Sequence, residues 1–98
     1  MKIDMVLRIR LDDGRSGEVR WFTKQVQADV PHVPRVGEAV VLPGADGKTN
    51  LGARRVEEVM YPLNGQVHLD FRLDGVINDP EAQVAILRAA GYQELPPH

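Results

Sequence analysis

Ile3, Met5, Leu7, Ile9 and Leu11 fall on odd positions, with Asp4, Arg8, Arg10 and Asp12 between them. Strict alternation over this length predicts a half-buried strand across 3–11, because successive side chains of a strand point to opposite faces. Only Val6 interrupts the polar face. The turn-rich stretch DDGRSG then predicts a chain reversal into a second strand over 18–29. There Val19 and Trp21 are odd whereas Val26, Ala28 and Val30 are even. A change of phase flips every later side chain, which predicts a bulge near Thr23 to Gln25.

The hairpin register decides which of the adjacent aromatics, Trp21 or Phe22, enters the core. Ile9 opposite Val19 puts Arg10 opposite Glu18 and leaves one like-charge pair, Arg8 with Arg20. A slip of two residues creates two such pairs, and opposed like charges are unfavourable. The first register places Trp21 inside. It leaves Phe22 on the outer face beside Arg8 and Arg20.

Pro31 and Pro34 predict a rigid extended connection into a short strand at 39–42. PGADGKTNLG reads as a loop. Two further strands, 54–61 and 66–73, flank the hairpin signal Asn64-Gly65. A turn over Pro62 to Gly65 aligns Val59 with Leu69 and Tyr61 with Val67, which keeps Glu58 out of the core. It calls for a bulge at Glu57-Glu58 so that Val56 also turns inward. A helix is predicted over 80–90, with Asp79 as N-cap, Pro80 at the first helical position and Glu81 at the positive dipole end. Gly91 ends it, and Tyr92 packs back on the last turn. The expected core is Leu7, Ile9, Trp21, Val40, Val59, Leu69, Phe71 and Leu87. One domain spans 1–92, followed by a polar tail over 93–98.

The stretches VPRVGEAVVLPG and RRVEEVMYPLNGQVHLDF carry the pattern Pro-x-x-Gly-Glu-x-Val-x-Leu followed by Val-x-x-Val-x-Tyr and an alternating partner strand. In these positions, about the middle half of the chain, the sequence resembles the SH3-like small β-barrel proteins of bacteria, a group of unknown role. The resemblance implies a small barrel; it rests on turn glycines and core positions and implies no chemistry. The expected architecture is mainly β within the α+β class. It is a five-stranded, mainly antiparallel bent sheet or SH3-like barrel with one C-terminal helix. An open sheet with the helix across one face is the alternative.

Composition narrows function chiefly by exclusion. Ninety-eight residues, 43% hydrophobic and 27% charged, suit one folded domain. A net charge of −2 gives no overall pull toward nucleic acid or anionic membrane. Cysteine is absent, which removes disulfides, thiolate metal sites and cysteine nucleophiles and fits a cytoplasmic location. The alternating N-terminal segment is unlike a signal peptide, and no stretch approaches the roughly 20 apolar residues of a membrane span.

His68 and Asp70 share a strand face at a spacing a metal could use, but they also read as two solvent-facing polar residues. Gly-Lys-Thr at 47–49 lacks the phosphate-loop spacing. Ser16 is the lone serine and sits in a turn. Glu57 and Glu58 are adjacent and diverge on a strand. An enzyme is disfavoured, with no cofactor and no metal expected. Arg8, Arg10, Arg15, Arg20 and Lys24 gather on the first hairpin. With Phe22 exposed among them, Phe22, Arg8, Arg20 and Arg10 form the candidate binding site; the competing reading is a solvated strand face whose Phe22 lies under the C-terminal helix or a loop. Arginine beside an aromatic suits a protein interface or self-association. A nucleic-acid-binding barrel is the alternative, because such proteins stack bases on aromatics and contact phosphates through arginine.

Overall fold

A computed structural model of the chain describes residues 2–12, 17–44, 50–63, 65–73 and 80–96. The element order is β1 (Lys2–Asp12), β2 (Val19–Asp29), β3 (Ala39–Pro43), β4 (Asn50–Arg55), β5 (Glu58–Met60), β6 (Val67–Leu73), α1 (Pro80–Ala89) and β7 (Gln93–Glu94). Five strands form a mixed sheet in the order β5-β6-β1-β2-β7, and β3 and β4 form a separate two-stranded ribbon. The described residues are thus mainly β with one helix, and no closed barrel is found among them. The expected turn over 13–16, the loop at 45–49, Asn64, the Asp79 cap and Arg15 lie outside the described residues.

β1 is the central strand. It pairs antiparallel with β2 and parallel with β6, so both of its edges are satisfied. Its odd side chains Met5, Leu7, Ile9 and Leu11 are buried, as the alternation predicts. Phe22 on β2 and Leu69 and Phe71 on β6 extend this dry face. The helix covers it with Val84 and Leu87, joined by Ala90 and Tyr92 just beyond its end, and the ribbon side adds Leu42 and Val56. Of the expected core, Leu7, Ile9, Leu69, Phe71 and Leu87 are buried, while Val40 and Val59 pack against its margin.

The two aromatics are reversed relative to expectation. Phe22 is fully buried, and Trp21 lies on the opposite face of the sheet. The reason is the hairpin register: Ile9 faces Phe22, not Val19, a displacement of three residues. An odd displacement changes the face of every residue in the strand. In the observed register Phe22, Val26 and Ala28 are all in phase with the odd residues of β1. The pairing runs unbroken from Lys2–Asp29 to Asp12–Val19, so the expected bulge at Thr23–Gln25 is absent. No like charges stand opposite one another, and the terminal pair is Lys2 with Asp29. The charge criterion therefore favours this longer register over either of the shorter ones compared from the sequence.

The expected strand at 54–61 is two strands in two sheets. At Val56 the chain leaves the ribbon and joins the main sheet. The Val56 N–H donates to the Glu38 carbonyl (2.9 Å) and the Glu57 N–H to the Asp70 carbonyl (2.8 Å). Val56 is buried, and Val59 faces Leu69, as the predicted register requires. Entry into β3 uses a turn in which the Glu38 N–H donates to the Arg35 carbonyl (3.0 Å), with Gly37 at φ 87°. That left-handed position favours glycine.

The helix ends as the sequence predicts. Gly91 at φ 87° donates to the Arg88 carbonyl (3.0 Å), and the Tyr92 N–H reaches the Leu87 carbonyl (3.0 Å). This paired arrangement satisfies the last carbonyls of the helix. The chain beyond is not wholly a tail: Gln93 and Glu94 pair with Thr23 and Phe22 as β7.

Phe22→Ala is expected to cost about 3–5 kcal/mol in urea denaturation, the usual loss for a buried aromatic. Trp21→Ala, on the other face, is expected to cost less than about 2 kcal/mol. The reverse order would contradict the observed register.

Candidate functional site

The four sequence-predicted site residues separate onto the two faces of the sheet. Arg8 and Arg10 lie on the face opposite the helix, together with Trp21. Phe22 and Arg20 lie on the helix side, where Phe22 is core and not a contact residue.

Arg20 is held in place. Its guanidinium donates to both carboxylate oxygens of Glu94, Nε to Oε2 (2.8 Å) and Nη2 to Oε1 (2.7 Å), while Nη1 reaches Glu81 Oε1 (3.2 Å). Arg88 Nη2 also donates to Glu94 Oε1 (3.2 Å). The hydrogen bonds and charge of Arg20, helped by Arg88, hold the Glu94 carboxyl below its ordinary range. Lys24 Nζ donates to the Ala90 carbonyl (2.6 Å) at the other end of the helix and lies 5.5 Å from the centre of the Tyr92 ring. A ten-residue helix is about 15 Å long. The four residues from Arg20 to Lys24 span about 13 Å of strand. The two cations are therefore spaced to fasten the two ends of α1 along β2.

The open face carries a different set. The Arg8 guanidinium sits 4.7 Å from the centre of the Trp21 ring, a stacked cation–π arrangement. Its Nη1 lies 3.6 Å from Asp70 Oδ1 and 4.0 Å from Met60 Sδ. Arg10 Nε donates to Asp12 Oδ1 (2.7 Å), and Arg72 Nε donates to Asp12 Oδ2 (2.9 Å). The Arg10 hydrogen bond, with both guanidinium charges adding to it, lowers the pKa of Asp12. Trp21 borders two hollows. One of about 630 Å³ is lined by Val19, Arg20, Glu94, Leu95 and Pro96, and one of about 170 Å³ by Arg10, Glu57, Glu58, Asp70 and Arg72.

Asp70 is the least expected member of this face. It is only 6% exposed, and its Oδ1 has no hydrogen-bond partner among the described residues. Arg8 is near enough to attract it but too far to hydrogen-bond. Burial raises the Asp70 pKa, and Glu58, paired with it across β5 and β6, pushes the same way against the pull of Arg8 and His68. His68 shares this face with Asp70, as their spacing implies. Among the described residues no group of three or more His, Asp or Glu side chains is placed to hold a metal ion.

The sequence placed Trp21 in the core and Asp70 in solvent, whereas Trp21 lies on the open face and Asp70 is buried. The even apolar positions Phe22, Val26 and Ala28 were the available signal for Trp21. It was disguised by Arg20 and Lys24, which share that phase because they reach the helix. No local pattern marks Asp70, whose burial comes from neighbours on β1 and β5.

A third concavity lies on the helix side, beyond the helix itself. This groove of about 660 Å³ is floored by Met5, Leu7, Val26 and Ala28 and walled by Val40 and Pro43 of β3. No protein-family model, curated protein or solved structure matches the chain. Among the described residues no helix is long and apolar enough to cross a membrane.

A carboxyl whose pKa is raised by folding binds its proton more tightly in the native state. Its stabilising contribution is therefore present at low pH and fades as pH rises through the raised value. Asp70→Asn is expected to gain urea stability over the parent as pH climbs from about 4 to neutrality. A variant that instead loses ground over that range would show that the Arg8–Asp70 attraction outweighs desolvation.

Proposed function

We propose that this chain is a non-catalytic binding module of the bacterial cytoplasm, and that it offers the open face of its sheet, centred on Trp21, to a protein partner. The observation that carries this reading is Trp21 itself: a large aromatic, clasped by Arg8, on the face opposite the helix and between two hollows. Tryptophan and arginine dominate the energetics of protein interfaces because they bury much area around a polar handle. The hollows on either side suit side chains of a partner. A cysteine-free chain fits the reducing cytoplasm, and the SH3-like resemblance supplies the bacterial assignment.

Nucleic acid fits the face less well. Arg10 and Arg72 share Asp12, and Arg8 faces Asp70. Phosphate binding draws its free energy from cations that neutralise the backbone and release counterions. Guanidinium groups already neutralised by carboxylates supply less of it.

Trp21 is the only tryptophan in the chain, so its fluorescence reports this surface directly. Immobilised protein and its Trp21→Ala variant, matched for thermal stability, are to be exposed to an extract of the encoding organism. The parent is expected to retain a protein that the variant loses, and the purified partner should shift Trp21 emission to shorter wavelength. Equal retention by both proteins would reject the face. An emission change with single-stranded oligonucleotide, and none with protein, would move the assignment to nucleic acid.

A further inference from the structure

The groove on the helix side has an unusual wall. Its floor is apolar, but along one side it meets the edge of β2, and Gln27 lines it together with Val26 and Ala28. The direction of that edge follows from β7. The Leu95 N–H donates to the Trp21 carbonyl (2.8 Å), so Trp21 turns its main-chain groups away from β1. Main-chain groups alternate sides along a strand, so Gln25 and Gln27 turn theirs the same way. β7 pairs with β2 only at Phe22 and Thr23. Among the described residues no strand covers Gln25 and Gln27 on that side.

Exposed strand edges are ordinarily blunted by proline, by a bulge or by an inward charge. None operates here. The β1–β2 register is unbroken through this region, and the Lys24 ammonium is engaged at the helix terminus. An edge with unfilled main-chain donors and acceptors beside an apolar trough is the geometry that accepts an added strand. The volume lies within the about 300–1,000 Å³ typical of ligand sites.

We propose that this groove binds a short extended peptide, which adds to the β2 edge at Gln25 and Gln27. The main chain of the peptide pairs with those two residues. Alternate side chains, apolar and of valine size, lie beside Val26 and Ala28, and the intervening ones, polar, stand on the opposite face beside the Gln25 and Gln27 side chains. A second copy of the chain fits the edge poorly. Its own β2, laid antiparallel across Gln25 to Gln27, would carry its next residues into the α1–β7 corner, where Ala90 stands against Lys24. A free segment of five or so residues can stop short of that corner. The site is separate from the Trp21 face and stands whether or not that face binds a partner.

The probe is an acetylated, amidated heptapeptide, Lys-Val-Thr-Val-Thr-Val-Lys, followed by amide hydrogen exchange and methyl shifts in the full chain. At about ten times its dissociation constant, the peptide is expected to slow exchange at Gln25 and Gln27 about tenfold. The same peptide N-methylated at alternate amides should give no such protection. Ala28→Arg, checked for an unchanged melting temperature, should abolish it. The N-methyl control tests the same point without relying on the fold of a variant. Methyl shifts at Met5 and Val26 without amide protection would overturn the proposal in favour of a compact apolar ligand. Protection that grows with protein concentration and needs no peptide would overturn it in favour of a second copy. No response at millimolar peptide would also overturn it.

Discussion

The register of β1 against β2 is the constraint on which the rest of this structure depends. Ile9 opposite Phe22 places Phe22, Val26 and Ala28 on the same face as Ile3, Met5, Leu7, Ile9 and Leu11. β6 then lies parallel to β1 with Leu7 beside Leu69 and Ile9 beside Phe71, continuing the same face. Burial of these side chains is non-directional and does not itself select a register. Selection comes from the pleat, because a displacement of one or three residues would turn Phe22, Val26 and Ala28 off the dry face of β1 and bring Thr23, Gln25 and Gln27 onto it. Desolvating those hydroxyl and amide groups opposes the exchange of one aromatic for the other.

The same face explains how the helix is held. α1 contributes only Val84 and Leu87 to the core from its own length, with Ala90 and Tyr92 just beyond its end. A short helix with so few buried positions is marginal on its own, since most helical stability in proteins comes from packing. Polar contacts supplement it at each end. Arg20 bridges Glu81 in the first turn and Glu94 in β7, and Lys24 meets the carbonyl of Ala90 just past the last turn. Two basic residues on a core-facing strand are thereby reconciled with burial: their stems lie along apolar neighbours and their charged ends find partners at the rim.

The opposite face has the reverse character. Its arginines are matched by Asp12 and Asp70, so its charge is patterned and not massed. Asp70 is the poorly satisfied member, and a buried carboxylate with one bare oxygen is a local weakness. Trp21 beside it supplies area without charge. The arrangement suits recognition by shape and paired polar contacts more than long-range attraction of a polyanion.

Much of the fold was legible in the sequence, because it is local. Alternation over residues 3–11 placed β1 and its buried face, and Val59 aligned with Leu69 from the turn geometry alone. Pro80, Gly91 and Tyr92 marked the helix and its termination. The candidate site was legible only in part. Arg8 and Arg10 were placed on the open face, but the aromatic assigned to that face was the wrong one of an adjacent pair. Hairpin register depends on the length of the connection and on what each strand face meets, and neither is local. Arg20 and Lys24 made the core-facing phase of β2 look polar, and only the helix lying across the sheet explains their place in it. Likewise the parallel pairing of β6 with β1, the transfer of the chain at Val56 between sheets and the burial of Asp70 arise between segments far apart in sequence. Periodicity and turn chemistry, set by near neighbours, determined which elements form and which side of β1 is dry. Tertiary structure decided which neighbour each face meets, and so whether Trp21 or Phe22 is left outside.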